Sequence, residues 1–163
     1  MSVAITLEEL SRWNQETSAF WNKHLEANPA LLELPCDIGG TKTVQELVRH
    51  IWGVELRWSQ RLAGLPQTPR EETPAGPLAA LFDLHVQAVQ IFDSLLTVPE
   101  ESWQESLTID TATHGTFIVS RRKVAGHMLF HSQRHWAQLA TLVRTAGFPS
   151  GFRGDMLLSA ALD

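Results

Sequence analysis

Four stretches of helical period, separated by clusters of proline and glycine, constrain this chain more than any other feature. Thr6-Leu-Glu-Glu9 is a capping box, and Leu7, Leu10, Trp13, Thr17, Phe20, Trp21 and Leu25 follow at helical spacing until Asn28-Pro29. Thr43-Val-Gln-Glu46 opens a second run, with Leu47, His50, Ile51, Val54, Trp58 and Leu62 on one broad stripe that ends near Gly64. Pro77 suits the first turn of a third run, whose apolar positions extend from Leu78 to Leu95 and stop before Pro99. Ser120 caps the fourth, where Val124, His127, Met128, His131, His135, Leu139 and Leu142 repeat up to Gly147. The helices are expected at about 6–28, 43–63, 77–97 and 120–146. Each carries an apolar stripe that must be buried against another element, so an all-α helical chain is expected.

The connections differ in kind. Residues 29–42, with Pro35, Gly39 and Gly40, form a loop that holds Cys36. Pro66, Pro69, Pro74 and Pro77 make a semi-rigid crossover between the second and third helices, too short to separate domains. A longer, irregular connection covers residues 98–119 before the fourth helix, and its weak alternation around His114-Gly115 leaves a small hairpin or an irregular loop open. The tail, 148–163, is apolar enough to pack on the helices or on a second copy of the chain. At 163 residues, one domain over 1–163 is expected.

Composition narrows the function. With 13 Lys and Arg against 18 Asp and Glu, the net charge of −5 works against binding a phosphate backbone, so no nucleic-acid partner is expected. Glu8, Glu9 and Arg12 interrupt any signal-peptide pattern at the start, and no later segment is apolar enough to span a membrane. One cysteine excludes an intrachain disulfide and Cys-rich zinc modules, which points to the cytoplasm. Cys36 itself, in a Pro/Gly loop beside the Asp37 anion, is a poor nucleophile. Tyrosine is absent and histidine occurs seven times, so the versatile acid, base and ligand groups here are imidazoles.

His127, His131 and His135 stand four residues apart, and each step falls only about 40° from a full helical turn, so they share a face. Two such histidines can grip one metal ion, although the same pairs also occur as partly buried polar residues without a metal. His50 on the inner stripe of the second helix shifts the balance. One ligand from that helix and two from the fourth make a three-histidine site with open positions, the pattern of catalytic zinc.

His50-Ile-Trp-Gly-Val-Glu55-Leu-Arg-Trp58-Ser-Gln-Arg61-Leu62-Ala-Gly64 resembles the second-helix signature of the DinB/YfiT-like superfamily. His131-Ser-Gln-Arg-His135-Trp-Ala-Gln138-Leu139, followed by Arg144 and Gly147, resembles its fourth-helix signature, so the likeness runs over almost the whole chain. The resemblance implies a four-helix bundle in up-down-down-up order, with a divalent metal held by His50, His131 and His135. Zn or Ni is expected first, with Fe or Mn as further candidates, because nitrogen ligation selects weakly. It also implies a small-molecule substrate and a reaction class: transferases and isomerases of this superfamily use small thiols such as bacillithiol or mycothiol. A metal-dependent hydrolase and a non-catalytic, metal-binding stress protein that dimerises through an exposed helix face are the alternatives. Ser132, Gln133, Trp136 and Ala137 depart from the superfamily's commoner residues, so no substrate pocket is carried over.

Several residues stand near this set in sequence. His127 is read as a fourth ligand, a proton shuttle or a polar residue at the bundle mouth, and Gln138 as a partner that steadies a ligand ring or as a surface glutamine. Arg61 returns to the His50 face and would steady an anionic substrate group, or simply complement the helix C-terminus. His85 and His24 face the metal cavity or are structural. Glu55 lies about 140° off the His50 direction and is expected to pair with an Arg. Arg121, Arg122 and Lys123 oppose the helix dipole, so either acidic neighbours or a bound anion must balance them. Trp136, next to His135, is expected to border the site.

Overall fold

All four expected helices form, and their caps show why they begin where they do. The computed structural model describes residues 4–111, 115–152 and 154–162, so His114 lies outside the described residues. In α1 (Leu7–Ala27) the Thr6 hydroxyl accepts the Glu9 N–H at 3.1 Å, and the Glu9 carboxylate accepts the Thr6 N–H at 2.6 Å. Thr43 caps α2 (Val44–Leu62) in the same way, but the Glu46 carboxylate reaches one residue further back, to the Lys42 N–H at 2.8 Å. Pro77 immediately precedes α3 (Leu78–Leu95). The Ser120 hydroxyl accepts the Lys123 N–H to open α4 (Arg121–Thr145).

The four helices make a bundle in up-down-down-up order, the proline-rich crossover joining α2 to α3. The α2 helix packs on both α3 and α4, while α1 covers the same two neighbours from the other side. Of the two forms open for the connection before α4, the hairpin is present: β1 (Ser106–Thr111) pairs antiparallel with β2 (Gly115–Ser120), Ile109 opposite Phe117. Ile109 is buried in one hydrophobic cluster with Phe92, Trp103 and Val124, whereas Phe117 and Ile118 remain exposed. Trp136 is fully buried and stacks on Trp21, so it belongs to the aromatic core with Trp52 rather than to the border of a site. The tail packs on the bundle. Phe152 meets Phe20 and Trp21, and the Ser159 hydroxyl donates to the Glu16 carboxylate at 2.6 Å. Among the described residues, no helix is long and apolar enough to cross a membrane.

A polar chain runs through this core and touches every helix. The Glu55 carboxylate, 2% exposed in α2, lies 2.6 Å from His85 Nδ1 in α3 and accepts from Asn14 Nδ2 in α1 at 2.8 Å. Gln133 in α4 completes it, donating through Nε2 to Asn14 Oδ1 at 3.3 Å and to the Thr17 hydroxyl at 3.1 Å. Burial works to raise the Glu55 pKa, but the His85 charge and hydrogen bonds from His85, Asn14 and Ser132 more than offset it and favour the carboxylate. Two expectations change as a result: Glu55 pairs with His85 rather than with an arginine, and His85 is spent on that pair instead of facing a metal cavity. Sequence spacing could not show this, because the partner comes from another helix. The cations that open α4 have an acidic neighbour, Arg121 donating to Glu105 at 3.3 Å and to the Leu62 carbonyl at 2.9 Å.

Candidate metal centre

His50 on α2 meets His131 and His135 on α4 where these two helices pack. Ring centroids are 5.0 Å apart for His50 and His131, 5.1 Å for His50 and His135, and 4.5 Å for His131 and His135. One ring nitrogen from each lies within 4.8 Å of the other two. His50 and His131 face one another through Nε2 atoms 3.2 Å apart, while both Nδ1 atoms are buried without a partner among the described residues.

Electrostatics make these rings lone-pair donors. Burial, followed by the neighbouring His135 and nearby arginines, lowers the His50 pKa to about 4. Burial, then His135 and His50, lowers that of His131 to about 2. The His135 pKa is also lowered, first by burial, with its Gln138 hydrogen bond acting in the opposite sense and Arg134 in the same one. Three neutral imidazoles with ring nitrogens within 4.8 Å of one another, two of them also carrying a buried Nδ1 without a partner, fit a divalent cation.

A consequence can be measured on chelator-treated protein. Unfolded histidines protonate near pH 6.5, whereas folded His50 does so only near 4 and His131 near 2. Between those values the unfolded state binds more protons, so stability is full above pH 6.5 and declines as the pH falls toward 4 and below. Denaturant midpoints measured across that range should fall with pH, and the slope should be shallower in His131→Leu. Equal slopes in the two proteins would show that burial of the neutral His131 ring does not cause the decline.

The surrounding residues divide clearly. Gln138 Oε1 accepts from His135 Nδ1 at 2.8 Å, a contact that orients the ring and makes Nε2 the acceptor, which faces Arg134 Nη2 at 3.4 Å. The 36–42 loop closes over the same histidine. Gly39 has a φ of +63°, which favours glycine in the turn, and a Cβ there would sit 3.5 Å from His135 Cε1, in ordinary van der Waals contact. His127 is exposed and meets Trp58 and His131 edge-on or tilted at 5.9 Å between ring centroids; it does not join the three-histidine cluster. Arg61 lies over the Trp58 ring and bonds the Gln67 amide oxygen, rather than lining the cleft beside His50. His24 stacks on Phe20 in α1. Cys36 is buried and accepts from the Thr41 hydroxyl at 3.3 Å.

Comparison with known proteins agrees with this architecture. Residues 1–152 match the model of the DinB family. Among solved structures the chain is similar to YfiT from Bacillus subtilis, described as a probable metal-dependent hydrolase with an unusual four-helix bundle topology. The likeness is one of fold: the TM-score is 0.69 over 91% of this chain and 93% of that one, at 17% sequence identity. No functionally curated protein matches the sequence. With the family model covering nearly the whole chain, bundle and histidine-bearing helices included, the protein belongs to the DinB family.

Proposed function

We propose that this chain, acting as one domain in the cytoplasm, is a metal-dependent enzyme in which His50, His131 and His135 hold one divalent ion, Zn or Ni first. The observation that carries this reading is the gathering of three imidazole nitrogens within 4.8 Å of one another, with no carboxylate or thiol of the described residues in the same group. Three protein ligands leave positions for water or substrate, as in catalytic rather than structural sites. A bound divalent ion would lower the pKa of a water or thiol and polarise a carbonyl. The protein's own residues orient the ligands: Gln138 fixes the His135 ring, and the Glu55 chain fixes the helices that carry all three.

The substrate is a small electrophile and the nucleophile an external thiol of the bacillithiol or mycothiol type, since the one thiol of this chain is buried. Hydrolysis by water is the second reading, favoured by the likeness to YfiT. Two copies would pair through the apolar groove between the start of α1, the end of α3 and α4, where Ile5 and Phe130 are exposed.

The test compares metal-loaded wild type with His131→Ala. Bacillithiol, mycothiol and glutathione are offered to a panel of electrophiles, alongside ester and amide hydrolysis. Turnover in the wild type alone is expected. Equal turnover in both proteins would show that the metal is not responsible, and none across the panel would favour the non-catalytic metal-binding alternative.

A further inference from the structure

Beside His50 the protein gathers three arginines around one cleft. Arg49, Arg57 and Arg70 line a space of about 120 Å³ together with His50, Thr41 and Thr73. Arg49 and Arg57 flank Gly53 on α2, and Arg70 comes from the crossover that follows. Thr73, buried, seats the crossover: its carbonyl accepts from Arg49 Nε at 3.1 Å and Nη2 at 2.6 Å, and its hydroxyl accepts from Arg57 Nη1 at 3.2 Å. A Cβ at Gly53 would stand 3.1 Å from Thr73 Cγ2 and 3.2 Å from Arg57 Nη1, so the missing side chain lets both close in.

These cations are not neutralised. Among the described residues, none of the three guanidiniums has a carboxylate within 4.0 Å, and the Arg70 guanidinium has no hydrogen-bond partner. Glu46 also lines the cleft, but its carboxylate is engaged by the Lys42 N–H at 2.8 Å. Three arginines against one carboxylate is a local excess in a chain whose net charge is −5. Burial, then Arg70 and Arg49, already works against the charge on Arg57. An anion would relieve that repulsion and use the free guanidinium donors, which match planar carboxylate and tetrahedral phosphate oxygens.

We propose that this cleft is an anion subsite, in which Arg57 and Arg70, supported by Arg49, hold a carboxylate or phosphate group of the substrate next to His50. That the anion belongs to a substrate rests on the metal-dependent reading of the histidine cluster; that the cleft binds an anion does not. His50 lines the cleft and belongs to the histidine cluster, so a molecule anchored there by its anionic end presents its neighbouring atoms to the three imidazoles.

The experiment is calorimetric titration of the full chain with inorganic phosphate and, separately, with succinate. Wild type and His131→Ala should both bind at least one of the two saturably, more weakly as salt rises. Arg57→Gln should lose about tenfold or more in affinity and the exposed Arg70→Gln several-fold, while Arg122→Gln at the start of α4 should match wild type. The anion that binds more tightly identifies the group. Absence of saturation with both anions, or wild-type affinity in both Arg57→Gln and Arg70→Gln, would overturn the proposal. Binding lost in His131→Ala alone would place the anion on the metal and overturn it equally. If Arg57→Gln does not fold by circular dichroism, Arg70→Gln decides. Failure of the metal reading shows separately, as unchanged metal content in His131→Ala with anion binding intact.

Discussion

Glu55→Ala is expected to destabilise the protein by about 3–5 kcal/mol, because it strands His85 and Asn14 in the core. Against a typical domain stability of about 5–15 kcal/mol that is a large share, and the melting temperature should drop by roughly 10 °C or more. The effect has a signature that distinguishes an ion pair from simple packing. Replacing both partners, as Glu55→Leu with His85→Leu, removes the charged pair together, leaves only Asn14 without its acceptor, and should cost less than the sum of the two single changes. Thermal melts of the four proteins of this cycle give the coupling. Strict additivity would mean that the 2.6 Å contact contributes nothing specific to the fold.

Loss of a histidine from the cluster should act on metal, not on the fold. His50→Ala, His131→Ala or His135→Ala each removes one of three converging nitrogens, and affinity for a divalent ion should fall by more than about 100-fold. Gln138→Ala leaves the nitrogens in place but frees the His135 ring, so a loss of about tenfold is expected. His127→Ala should leave affinity unchanged, since that ring stands outside the cluster. Competition against a chromophoric chelator measures all five variants on one scale. A His127→Ala loss as deep as that of His131→Ala would make it a fourth ligand and contradict the three-histidine site.

Local signals in the sequence carry the helices and the histidine cluster. Capping residues and three- to four-residue apolar steps place the helices within a few residues of where they form, because those features act within one turn of the chain. His131 and His135 share a face by arithmetic alone; His50 joins them because its stripe faces inward. Contacts between residues distant in sequence are not legible in this way. Glu55 finds His85 across 30 residues and Asn14 across 41, and nothing within one turn of Glu55 announces either partner. Spacing singles out Arg61, yet the cleft beside His50 is built by Arg49, Arg57 and Arg70. They converge because the crossover folds back over Gly53, and helical periodicity holds no information on where a proline-rich connection lands. The hairpin is ambiguous in sequence for a related reason: its alternation is weak because, among its described residues, only Ile109 is deeply buried, while Phe117 and Ile118 face out.

The central claim is that three imidazoles of this bundle bind one metal ion. X-ray absorption at the metal edge of the purified, metal-loaded protein tests it most directly, because the spectrum reports ligand type and distance without reference to any activity. The histidine cluster predicts one ion per chain, with imidazole scattering from three rings at about 2.0–2.1 Å if the metal is zinc, and loss of that signal in His131→Ala. A first shell of oxygen alone, or the same imidazole signal in His131→Ala, would contradict it.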